Sequence, residues 1–173
     1  MQCTIEKSLE ILENTPAALQ AMLLHLSDEW IYASEGHNTW NSVQIIAHLI
    51  ICEQTDWLPR IQIIMNDNPD IVLSALDMEA HFALARQHSI STLLQEFSIL
   101  RQNSLMQLRA MNIQAADMSK TAIHPRFGSI SLQQIIAAWT VHDMSHIAQI
   151  MRIMSGQYKE YTGPFGQLLR ILN

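Results

Sequence analysis

The sequence predicts an all-α protein, an up-down four-helix bundle carrying a short extra helix or helices. Only five glycines and five prolines occur in 173 residues, clustered between long segments of helical apolar periodicity. No segment shows the alternation of a half-buried strand. The chain is 49% hydrophobic and 15% charged, enough for one compact core, so residues 1–173 are expected to form a single domain.

The first helix is expected over about residues 4–26, with Ile5, Leu9, Leu12, Leu19 and Leu23 on its apolar stripe and Pro16 bending or interrupting it. A polar loop through Gly36 and Asn38 leads to Asn41 and Ser42, either of which can cap a second helix reaching about residue 65. Asn66-Asp67-Asn68-Pro69 ends that helix, because proline disfavours helix in the residue before it. A short helix within 70–88 can cover the bundle end. Ser89 or Ser91 starts the third long helix, which ends near Asn112. After a polar link through His124-Pro125-Arg126-Phe127-Gly128, Ser129 or Ser131 caps the fourth, which runs to Gly156. A last short helix is expected over about residues 164–172.

Composition narrows the function. Sixteen acidic against ten basic residues give a net charge of −6 and no field to attract a phosphate backbone, so nucleic acid is not an expected partner. No apolar run reaches the length of a membrane span, and the start lacks the features of a signal peptide. Cys3 and Cys52 are too few for a disulfide framework and suit a cytoplasmic location.

On the fourth helix, His142 and His146 share the face that carries Leu132, Ile135, Ile136, Trp139, Ile150 and Ile153. Four residues apart, their side chains lie roughly 6 Å from each other, one turn above the next. Burying them unpaired costs on the order of 1–3 kcal/mol each, and one metal ion satisfies both lone pairs. His48 sits in an almost wholly apolar stretch of the second helix and is the natural third ligand. Three histidines from two helices leave positions open to water or substrate, as in catalytic zinc sites.

Here the residues carry a resemblance. Trp40-Asn41-Ser42-Val43 with Ala47-His48-Leu49, and His142-Asp143-Met144-Ser145-His146-Ile147-Ala148-Gln149-Ile150, resemble the two histidine signatures of the DinB-like family. The lead-in Phe127-Gly128-Ser129-Ile130-Ser131 is similar as well. The resemblance implies a DinB-like bundle that binds a divalent ion, nickel or zinc, through His48, His142 and His146. It further implies a metal-dependent enzyme of the thiol S-transferase or isomerase type, with a low-molecular-weight thiol as cosubstrate and a small-molecule substrate. A hydrolase is the related alternative, and a homodimer fits the family. From another class comes a non-catalytic stress-response or interaction protein, in which the ion joins the second and fourth helices.

Other residues weigh less. Cys52, one turn after His48, could approach the ion as a fourth ligand, though a buried thiol more often serves as a small hydrophobe. Glu53 and Asp143 are the catalytic candidates, as carboxylates that orient a ligand or move a proton, although a salt bridge from Asp143 to Arg109 or Arg152 would satisfy it without chemistry. Trp40, Trp57 and Trp139 could wall a pocket, and Tyr158, Tyr161 and Arg126 could stand at its mouth; packing and surface roles are the commoner ones. His25, His37, His81, His88 and His124 show no spacing that suggests a site. The pairs of Glu-x-x-His needed for di-iron chemistry, the His-Glu-x-x-His of metalloproteases and a haem attachment motif are all absent.

Overall fold

The computed structural model describes residues 2–173 and is a four-helix bundle. Its first long element is two helices, α1 (Ile5–Leu12) and α2 (Thr15–Leu23). The break falls at Glu13 and Asn14, just before Pro16, which sits in the first turn of α2 where its missing N–H costs nothing. After the single turn α3 (Asp28–Ile31), Asn41 caps α4 (Ser42–Thr55). Its side chain accepts from Gln44 N at 3.0 Å while Gln44 Oε1 accepts from Asn41 N at 2.9 Å, a reciprocal capping box. This cap starts the helix that carries His48.

The second long element is also divided. Asp56, at φ −111° and ψ −77°, redirects the chain between α4 and α5 (Trp57–Met65). The short helix expected in the following segment is α6 (Ala80–Gln87), packed on α4. Ser89 caps α7 (Ile90–Ala110), and Ser131 caps α8 (Leu132–Gln157) with Gln134 completing a second capping box. α7 packs against α2 and α4, while α8 packs against α1 and α5, which closes the bundle.

Two expectations need correction. The link before α8 contains an antiparallel hairpin, β1 (Thr121–His124) with β2 (Gly128–Ser131), in register Thr121↔Ser131 to His124↔Gly128. Strands of four residues are too short to show alternation in sequence, and Gly128 supplies the positive φ of 75° that the turn requires. Backbone bonds from Ile123 to Ile71 and from Leu73 to Ile123 tie the hairpin to the chain after α5. The C-terminal segment forms 3-10 turns over Lys159–Leu168 and Arg170–Leu172 instead of an α-helix, with Gly163 at φ 52° and Pro164 interrupting it. Among the described residues, no helix is long and apolar enough to cross a membrane.

The interior is apolar in two bodies. One gathers Leu12, Trp57, Ile61, Leu105, Leu132 and Trp139; the other gathers Leu19, Ile46, Leu93, Phe97 and Ile150. Polar groups interrupt both helices between these bodies: buried Arg101 falls between Phe97 and Leu105 on α7, and buried Asp143, with the partly exposed His142 and His146, falls between Trp139 and Ile150 on α8. Because the Asn41 cap satisfies amide protons at the start of α4, Asn41→Ala should lower stability by about 1 kcal/mol, read as a lower urea midpoint at unchanged slope.

Candidate metal centre

α4 and α8 bring His48, His142 and His146 together. The Nε2 atoms of His48 and His142 are 3.1 Å apart, as are those of His142 and His146, and all three ligand atoms lie within 4.8 Å of one another. His48 is buried, and the other two are partly exposed. Two nitrogens bound to one ion at about 2.0–2.1 Å stand roughly 2.9–3.3 Å apart, so the two separations that involve His142 fit a shared divalent ion. His146 Nδ1 lies 2.9 Å from Gln149 Oε1; donating its proton there leaves the Nε2 lone pair free for the centre. His142 Nδ1 is buried and has no partner.

The cluster is held neutral. Burial, followed by repulsion from His146 and His81, lowers the His48 pKa to about 3. Burial, followed by repulsion from His146, His48 and Arg101, lowers that of His142 to about 2. Burial lowers His146 as well, against the opposing pull of Gln149 and Asp143. Neutral imidazole is the metal-binding form, so the protein environment keeps the ligands ready.

The walls are aromatic. Trp40 stands nearly parallel to His146 at 6.2 Å, and the Trp57 ring meets His142 edge-on at 5.0 Å. Trp139 belongs to the core, stacked on Trp57 at 6.2 Å. Cys52 Sγ is 3.5 Å from His48 Nε2, and burial pushes its thiol pKa well above the usual range, so it rests as a protonated hydrophobe. His81 on α6 is the residue that sequence reasoning missed. It is fully buried, its ring lies 4.3 Å from Trp40 and 5.6 Å from His48, and neither ring nitrogen has a hydrogen-bond partner of good geometry. No spacing signal could reveal it, because α6 reaches the cluster only through tertiary packing.

Glu53 and Asp143 are placed differently from the expectation. Both face Arg101, and neither is hydrogen-bonded to a histidine. Arg101 binds Asp143 with two nitrogens, at 2.5 and 3.0 Å, donates through Nε to Glu53 Oε1 at 3.0 Å, and reaches the Leu12 carbonyl at 3.0 Å. Trp139 Nε1 donates to the same Glu53 oxygen at 3.2 Å. The guanidinium is sandwiched by Phe97 and Trp139 at 4.8 and 5.2 Å. Burial alone would lower the Arg101 pKa, yet Asp143 and Glu53 together raise it. The arginines weighed from sequence are elsewhere, Arg109 on Glu13 and Arg152 on Glu35. Tyr158, Tyr161 and Arg126 are exposed.

The sequence profile of the DinB superfamily matches residues 11–150. The chain belongs to that superfamily. Its fold is similar to that of YfiT from Bacillus subtilis, described as a probable metal-dependent hydrolase with an unusual four-helix bundle topology. The likeness has a TM-score of 0.73 at 18% identity and covers 88% of this chain and 86% of that one. No curated protein sequence matches the chain.

Removing Arg101 strands two buried carboxylates, so Arg101→Met should cost about 3–5 kcal/mol in urea unfolding, partly regained by adding Glu53→Gln and Asp143→Asn. For the metal-free protein, the folded histidine pKa values lie below the unfolded value of 6.5, so the unfolded state takes up more protons. Stability from His48 and His142 is therefore complete above pH 6.5 and is lost as pH falls toward about 3 and 2 respectively, by up to about 1.4 kcal/mol per pH unit for each. The stability of wild type relative to a His48→Phe/His142→Phe variant should fall as pH falls across that window.

Proposed function

We propose that this DinB superfamily member is a divalent-metal-dependent enzyme that activates a low-molecular-weight thiol for transfer to, or isomerisation of, a small electrophilic substrate. His48, His142 and His146 are the proposed ligands, for zinc or nickel. The observation that carries the reading is the convergence of three neutral Nε2 atoms with no carboxylate hydrogen-bonded to any of these histidines. When bound, an ion held only by neutral ligands keeps its full charge and lowers the pKa of a thiol or water in its open positions.

The chain's own residues do the rest. Gln149 fixes the His146 tautomer, and Trp40 and Trp57 keep apolar surface around the cluster. Glu53 and Asp143 are committed to Arg101 and are poorly placed to take a proton from water. This favours a thiol, whose unperturbed pKa of about 8.5 lets it ionise without a strong base. The description of the Bacillus subtilis neighbour makes water the second nucleophile to test. A purely structural ion is less well supported, because Arg101 already joins α1, α4, α7 and α8 without one.

Purified protein should hold one zinc or nickel per chain, and His142→Ala should weaken metal affinity at least about ten-fold. Thiol consumption with a panel of thiols and electrophiles should require the metal and disappear in His142→Ala. Tight metal binding without turnover of thiol or ester substrates would overturn the enzymatic reading. Chelation should remove activity while the helical circular dichroism and cooperative unfolding remain, with Tm falling only by the mass-action contribution of the ion.

A further inference from the structure

A second feature lies on the other side of Trp57. An open-sided cavity of about 620 Å³ is bordered by the start of α5, the tip of the β1–β2 hairpin, the segment after Ser74 and the first turns of α8. That volume is in the range of small-molecule sites. Leu76, Phe127, Ile130 and Ile135 make its walls mainly apolar.

The polar groups on the lining are unbalanced. Asp56 is neutralised by Arg60 at 2.5 Å, and Arg60 also donates to the Ser74 carbonyl at 3.0 Å. Arg126 has no acidic partner among the described residues, and its guanidinium rests over the Phe127 ring at 5.4 Å. His124 Nδ1 accepts from the backbone N–H groups of Arg126 and Phe127, which places the proton of its neutral ring on Nε2 as a donor. Trp57, only 6% exposed, has an Nε1–H that is buried without a partner. That nitrogen is shielded from the cavity, so Trp57 gives the wall its ring surface and no donor. Thus the uncommitted groups are a cation, Arg126, and one donor, His124 Nε2–H, and the one carboxylate is already neutralised.

We propose that this cavity binds an organic carboxylate with an apolar body, the anionic end meeting Arg126 and His124 and the body lying along Trp57, Leu76, Phe127 and Ile135. The cavity adjoins the histidine cluster through a single side chain: the Trp57 ring is 5.0 Å from His142, and Ala138 on the lining precedes His142 by one helical turn. The subsite is read from the cavity alone and holds whether or not the cluster carries a metal.

Titration calorimetry of the full chain with octanoate, with 1-octanol as the uncharged counterpart, tests this. Octanoate should bind once per chain, and Arg126→Gln should weaken it about ten-fold while leaving 1-octanol unchanged. Ala138→Trp, an exposed position on the lining, should fill the cavity and remove both ligands while the circular dichroism stays that of wild type. His142→Ala should leave octanoate binding in place. The proposal fails if octanoate shows no saturable binding, or binds Arg126→Gln and Ala138→Trp as it binds wild type. It fails equally if binding is lost in His142→Ala, which would put the carboxylate at the histidine cluster.

Discussion

Everything in this bundle turns around the buried guanidinium of Arg101. A charge 1% exposed is tolerable only when its donors are met, and here they are met by Asp143, Glu53 and the Leu12 carbonyl, with aromatic faces above and below. Those partners lie on α8, α4 and α1, so one side chain from α7 fixes the rotation of three other helices. Asp143 follows His142 directly, and Glu53 follows Cys52. Seating the two carboxylates inward therefore sets the angle at which α8 and α4 present His142, His146 and His48 to each other. The histidine geometry is a product of the ion pair beside it.

The division of labour follows from burial. The apolar bodies on either side of the junction supply most of the stability, as apolar burial does in any such domain. The junction concentrates the groups that are costly to bury, and each cost is offset differently: Arg101 by two carboxylates, His146 by Gln149, and Trp139 by Glu53. Among the atoms left unmatched are His142 Nδ1, both nitrogens of His81, and the indole N–H of Trp57. These residues are linked by ring contacts, His81 to Trp40 and His48, and Trp57 to His142, so the unmatched atoms belong to the aromatic surroundings of the histidine cluster.

Much of this was legible in the sequence because it rests on local rules. Asn41 and Ser131 announce their helices through three-residue spacing to Gln44 and Gln134, and Asn66–Pro69 announces an end. The pairing of His142 with His146 is a matter of helical pitch. The inward position of Asp143 was readable from its place on the apolar stripe, but its partner was not, since Arg101 lies 42 residues away on a helix whose pattern marks it only as one more charge. The hairpin escaped because four-residue strands carry too little alternation, and His81 because its position depends on how α6 lies over α4. Local order is written in short spacings; the partners of buried polar groups are written in packing.

The redirection at Asp56 has a further consequence. It fixes where α4 stops, with His48 at the middle of that helix, Glu53 near its end and Trp57 opening the next helix. One residue added or removed between His48 and Glu53 would turn them relative to each other by about 100°, so that either the histidine leaves the cluster or the carboxylate leaves Arg101. Point substitutions along this stretch can be graded by size and polarity, whereas insertions and deletions have no mild form there. The hairpin tip and the loop before Asn41 bear no such phase relation, and changes of length in related chains should collect in those places.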